Sequence, residues 1–164
     1  MHKVIIFGNS GSGKSTLAKY YVKKSALAHL DLDHVAWKKE AQPTREDTSV
    51  SKTLMDDFMH KHENWVIEGC YSDLISLIAD QSTQLIFLNP GLESCLENCK
   101  KRPFEAHKYR TKEEQDANLE MLLTWVEDYY KRDDESSLEA HQKLFQAFKG
   151  EKVQYRSLDG YSNE

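Results

Sequence analysis

Val4-Ile5-Ile6-Phe7-Gly8-Asn9-Ser10-Gly11-Ser12-Gly13-Lys14-Ser15-Thr16 is the stretch on which the reading of this chain turns. Four apolar residues that halt at a glycine describe a strand buried on both faces. Residues 8–15 then fit the pattern G-x-x-x-x-G-K-[S/T], a loop whose backbone N–H groups gather around an anion. Glycines keep Cβ atoms out of the way of that approach. Leu17, Ala18, Tyr21 and Val22 recur at spacings of three and four, which predicts a helix over 14–24. Its N-terminus, with unpaired N–H groups and the positive dipole end, aims at the same anion. In such a frame Lys14 reaches the outer phosphates of a nucleotide and the Ser15 hydroxyl ligates Mg²⁺. Gly8, Asn9, Ser10, Gly11, Ser12, Gly13 and Thr16 complete the nucleotide cradle.

Outward from this stretch, strand-like and helix-like runs alternate. Strands are expected over 28–32, 65–67, 85–88 and 153–155. Helices are expected over 46–61, from Asn89-Pro90 as N-cap and first residue to about Arg102, along Leu119, Leu122, Leu123, Val126 and Tyr130, and from Leu138 to before Gly150 as C-cap. Alternation of this kind implies a parallel sheet with helices on both faces, in one domain spanning residues 1–164. No repeat or Pro/Gly linker divides the chain.

Carboxylates stand where such a sheet binds ligands, at the carboxyl ends of its strands. In His29-Leu30-Asp31-Leu32-Asp33-His34, Asp31 and Asp33 are two apart and share a face if the strand continues. One can hold Mg²⁺ while the other takes the proton of an acceptor hydroxyl; a solvated strand-end turn is the plainer alternative. Trp65-Val66-Ile67-Glu68-Gly69 is an apolar strand closing on an acid, and places Glu68 beside the loop as a further metal ligand. Gly69 leaves room for close approach of a substrate. Residues 100–112 carry +5 with His107 neutral, and form an expected lid over about 102–113. Arg102 and Arg110 in it can neutralise transferring phosphoryl charge, and closure excludes water. Arg132 is a further candidate, to bind the acceptor or the nucleotide, or a mere partner of Asp128. Arg156, Ser157 and Leu158 follow the last strand, where a base-holding loop can lie.

The 164 residues are 39% hydrophobic and 30% charged, with a net charge of −5. That suits a folded domain and not a disordered chain. The net acidity argues against direct nucleic-acid binding, yet it averages unlike parts: residues 113–139 hold ten acids against Lys131 and Arg132. No apolar run approaches a membrane span, and the N-terminus passes straight into a strand, so a cytoplasmic location is expected. Cys70, Cys95 and Cys99 read as buried small hydrophobes, and the histidines show no metal-pair spacing.

Four stretches carry a resemblance: 8–16, Leu30-Asp31-Leu32-Asp33 through Trp37, Trp65-Val66-Ile67-Glu68-Gly69-Cys70-Tyr71, and 141–157 with its Phe-x-x-Phe-x-Gly pattern. The chain resembles small P-loop kinases of the nucleoside-monophosphate and shikimate kinase group. It is more closely similar to the adenylate-kinase-like proteins termed DNA-topology modulation proteins (FlaR-like). The resemblance implies a three-layer α/β/α P-loop NTPase fold, a five-stranded parallel sheet of order 2-3-1-4-5, and an inserted Arg-bearing lid. It also implies an ATP site on the loop, with Asp31 near Mg²⁺ and Asp33 near the acceptor hydroxyl. Asn89 stands where an acid often follows the fourth strand, and Cys70-Tyr71 lacks the arginine of nucleotide kinases. The expected activity is Mg²⁺-dependent phosphoryl transfer from ATP to a small molecule or nucleotide. The alternative is a regulatory nucleotide-binding NTPase without kinase activity.

Overall fold

A computed structural model describes residues 1–157; Leu158, placed above in a base-holding loop, lies outside the described residues. Five strands form one sheet: β1 (Lys3–Gly8), β2 (Ala28–Asp31), β3 (Trp65–Gly69), β4 (Gln84–Leu88) and β5 (Glu151–Tyr155). Every pairing is parallel, in the order β2-β3-β1-β4-β5. This is the order expected for a three-layer α/β/α sheet. β1 occupies the centre, where Ile5 lies opposite Ile67 on one side and Leu85 on the other.

The side-chain period of two sorts the sheet into its faces. Val4, Ile6, Val66, Ile86 and Leu88 turn to Leu17, Ala18 and Leu27, covered by α1 (Lys14–Ser25). Ile5, Phe7, Trp65, Ile67, Leu85 and Phe87 face the opposite way. There they meet Met55 of α3 (Thr48–Lys61), Leu74 and Ile75 of α4 (Ser72–Ser76), and Leu144 of α7 (Leu138–Ala147). Continuous apolar runs are the consequence of burial on both faces. A third cluster joins α5 (Leu92–Lys100) to α6 (Lys112–Glu127) through Cys95, Cys99 and Val126. All three cysteines are buried thiols, as expected.

Several boundaries move. α2 (Asp33–Ala36) and α4 are too short to leave a helical period in the sequence. The helix expected from Asn89-Pro90 starts at Leu92: Gly91, at φ +103°, is its N-cap, while the Asn89 N–H donates to the Tyr155 carbonyl. Gly150 does not cap α7, which stops at Phe148 in extended backbone. Instead the Lys152 ammonium donates to the carbonyls of Phe145, Gln146 and Phe148. The long helix ends at Glu127 and passes into a 3₁₀ turn over Asp128–Tyr130. No helix of the described residues is long and apolar enough to cross a membrane.

Candidate active site

The glycine loop, residues 8–15, leaves the end of β1 and enters α1 through Gly13, whose φ of +97° places it as the N-cap. Two of its glycines have no room for a side chain. A Cβ on Gly8 would lie 2.3 Å from the Leu88 carbonyl oxygen, and one on Gly11 would lie 2.3 Å from that of Cys95. The loop is therefore pressed against β4 and α5 by backbone contact. Side chains hold its outer rim: Asn98 donates to the Gly11 carbonyl at 2.8 Å, and buried Asn9 donates to that of Val126 at 3.3 Å. Lys14 folds back onto the loop, its Nζ donating to the Asn9 carbonyl at 2.8 Å.

Behind the loop, sheet register assembles the acids. Asp31 of β2 lies opposite Glu68 of β3. Ser15 Oγ donates to Glu68 Oε1 at 3.0 Å, and His29 Nε2 lies 3.3 Å from that oxygen. Ser15, Glu68 and Asp31, the three expected metal ligands, thus occupy adjoining positions at the start of α1 and the ends of two neighbouring strands. Their hard oxygen donors suit Mg²⁺. Burial pushes the Asp31 carboxyl above its ordinary range, reinforced by the negative charges of Glu68 and Asp33. Gly69 serves packing here: a Cβ would lie 2.8 Å from the Leu32 side chain, so its open side faces Leu32 and not a substrate.

Asp33, at the first turn of α2, lies where the chain turns away from the sheet. Its backbone N–H donates to Asp31 Oδ1 at 2.9 Å. Its carboxylate accepts from the Tyr71 hydroxyl and pairs with Lys108 Nζ at 2.7 Å. Burial raises the Asp33 pKa, but the Lys108 charge and hydrogen bond, with Tyr71 and Lys14, outweigh it and hold the carboxyl below its usual range. Burial depresses Lys108, yet the charges of Asp33 and Asp31 carry its pKa above the ordinary lysine range. Trp37 Nε1 donates to the same Tyr71 oxygen at 2.8 Å.

The cations expected from the sequence separate into three situations. Arg102 reaches the glycine loop: its Nη2 donates to Ser10 Oγ at 3.1 Å, and its Nη1 lies 3.8 Å from Glu105. Arg110 is exposed, and its backbone N–H donates to Glu114 at 3.0 Å. Arg132 lies over the Trp125 ring at 4.0 Å, pairs with Asp134 at 2.7 Å, and donates to the Trp125 and Ser136 carbonyls. Its guanidinium organises the turn before α7, and its acidic partner is Asp134 instead of Asp128.

Residues that the sequence did not single out complete the surroundings. Lys108 was visible only as one charge in the basic run. Arg45 pairs with Asp73 at 2.9 Å and with Glu135, and covers the Tyr71 ring at 4.8 Å. It follows Pro43 in a stretch without periodicity, so nothing local marked it. His141 is wholly buried; its Nε2–H donates to the Cys70 carbonyl and its Nδ1 accepts from the Tyr129 hydroxyl, both at 2.7 Å. Burial drives its pKa down to about 4.

No family model matches the chain, and a search of curated proteins finds no match. Among solved structures, the chain is similar to a deoxyadenosine kinase from M. mycoides with bound dATP. The two are 13% identical with a TM-score of 0.48, over 93% of this chain and 90% of that chain.

Proposed function

We propose that this chain transfers the γ-phosphoryl group of a nucleoside triphosphate, ATP first among them, to a hydroxyl of a small acceptor, with Mg²⁺ as the metal. The observation that carries the reading is the contact of Ser15 Oγ with Glu68, itself opposite Asp31, directly behind the glycine loop. A bare turn has no use for a hydroxyl bonded to a strand-end carboxylate that has a second carboxylate opposite it in the sheet. Ser15, Asp31 and Glu68 would hold the metal, which supplies charge neutralisation between phosphates. Lys14 turns from the Asn9 carbonyl to the outer phosphates, and Arg102 already touches the loop at Ser10. Asp33 is the group for the acceptor: it accepts the hydroxyl proton or orients the oxygen for attack. Residues 102–113 act as the lid, with Arg110 free to swing toward the phosphates. The work is positioning and charge neutralisation, with no covalent enzyme intermediate.

Single-turnover assays with γ-labelled ATP and a panel of nucleosides, nucleotides and small hydroxyl metabolites test the proposal. Label should appear in one acceptor class, and Asp33→Asn should slow transfer about a hundredfold or more while ATP binding persists. Tight Mg²⁺-ATP binding with no labelled acceptor would sink the transfer reading for that panel and favour a regulatory nucleotide-binding protein.

A further inference from the structure

A second donor set forms where the basic segment touches the end of β2. Asp31, His34 and His107 each present one ligand atom, and the three atoms lie within 4.8 Å of one another. His107 Nε2 is 3.4 Å from Asp31 Oδ2. The rings of His34 and His107 lie 5.1 Å apart, tilted by 31°. Asp31 Oδ1 accepts from the Asp33 N–H at 2.9 Å, which fixes the carboxylate so that Oδ2 faces the imidazoles. Three separate parts of the chain thus supply the donors: the end of a strand, the first turn of α2 and the segment between α5 and α6.

We propose that Asp31, His34 and His107 bind a divalent transition ion of the Zn²⁺ or Co²⁺ class, and that the ion fastens residues 101–111 to the end of β2. Two imidazoles and one carboxylate are the donors that such ions prefer, whereas Mg²⁺ favours oxygen alone. Donors about 2.1 Å from a tetrahedral centre stand about 3.4 Å apart, the spacing already present between Asp31 and His107. His34 is exposed and closes the remaining gap by a side-chain rotation. The fourth position is left to water. Glu68 stands opposite Asp31 in the sheet and Asp33 two residues along the chain, so the donors have further carboxylates beside them.

The site does not depend on the phosphotransfer reading, but the two share Asp31. An ion held by the histidines removes that carboxylate from Mg²⁺ and keeps the basic segment down, so it opposes whatever chemistry the glycine loop serves.

The test uses the full chain, stripped with chelator and free of nucleotide, near pH 7.5. Zn²⁺ is titrated by calorimetry and Co²⁺ by its visible absorption, in the wild type and in His34→Ala, His107→Ala and His60→Ala. The expected result is one equivalent bound, weakened about tenfold or more in each of the first two variants and unchanged in His60→Ala, an exposed residue in the last turn of α3. Zn²⁺ should also slow amide exchange over residues 103–110 in the wild type and not in His107→Ala. Absence of saturable binding, wild-type affinity in the His34 or His107 variant, or a matching loss in His60→Ala each overturns the proposal.

Discussion

Residues 8–15 and residues 101–111 approach the same end of the sheet, yet different forces hold them. The glycine loop is fixed by backbone: Gly8 against the Leu88 carbonyl, Gly11 against that of Cys95, with no space for a methyl group at either. The basic segment has no helix or strand of its own, and its anchors are side chains. Lys108 reaches Asp33 and Glu105, His107 reaches Asp31, and Arg102 reaches Ser10. A backbone-packed loop keeps its shape when one side chain is lost. A segment held by a few side-chain ion pairs depends on each of them, and losing one partner releases it locally. The arrangement sets a backbone-packed loop beneath a cover held by side chains.

Four measurements test that contrast. Gly11→Val should have the largest effect: its Cβ would meet Cys95 and its φ of +78° disfavours any β-branched residue. A loss of about 3 kcal/mol is expected in urea unfolding, together with loss of nucleotide binding. A surviving wild-type midpoint would mean that the loop is far softer than its contacts imply.

Acid should loosen the rigid half next. His141 packs edge-on against Phe7 and Phe87, under the strands that carry the loop. Its folded pKa, about 4, lies below the ordinary 6.5. The neutral ring therefore contributes stability that is fully present above pH 6.5 and is lost as pH falls toward about 4. The loss approaches about 3 kcal/mol, and His141→Gln should flatten the profile over that window. Parallel urea midpoints of the two proteins from pH 7 to pH 4 would contradict the assignment.

Lys108→Ala probes the cover. Global stability should fall by about 1–2 kcal/mol, since the Lys108 and Asp33 side chains are only 23% and 27% exposed and Asp33 keeps the Tyr71 hydroxyl. Amide exchange over 101–111 should nevertheless rise sharply, with the glycine loop unaffected. Equal acceleration in both regions would erase the distinction. Smallest of all, Arg110→Ala should leave unfolding unchanged within about 0.5 kcal/mol, because its side chain is exposed.

The same contrast explains what could be read from the chain alone. Residues 4–16 announced strand, loop and helix because sterics and periodicity are local. Apolar runs marked β3 and β4 for the same reason. Ser15, Asp31 and Glu68 followed from that frame, since parallel register brings strand ends together whatever lies between. The cover resisted reading. Its charge was plain, but which cation meets which acid depends on chain folding across 70 or more residues, as with Lys108 and Asp33. Arg132 shows the same dependence: the sequence offered it a ligand-binding role or Asp128 as a partner, and the fold pairs it with Trp125 and Asp134. Arg45 and His141 gain their roles wholly from distant partners, so no neighbouring residue betrayed them.

The chain of donors from Trp37 through Tyr71 to Asp33 has a direction. An indole N–H can only donate, so the Tyr71 oxygen accepts from Trp37 and its own proton is committed to Asp33. Any change at the Asp33 carboxylate, whether Lys108 departs or a hydroxyl arrives, is passed to the indole through one oxygen. Trp65 is fully buried and Trp125 lies beneath Arg132, which leaves Trp37 as the tryptophan wired to this carboxylate. Its fluorescence is a built-in gauge of the Asp33 carboxylate, readable without a label.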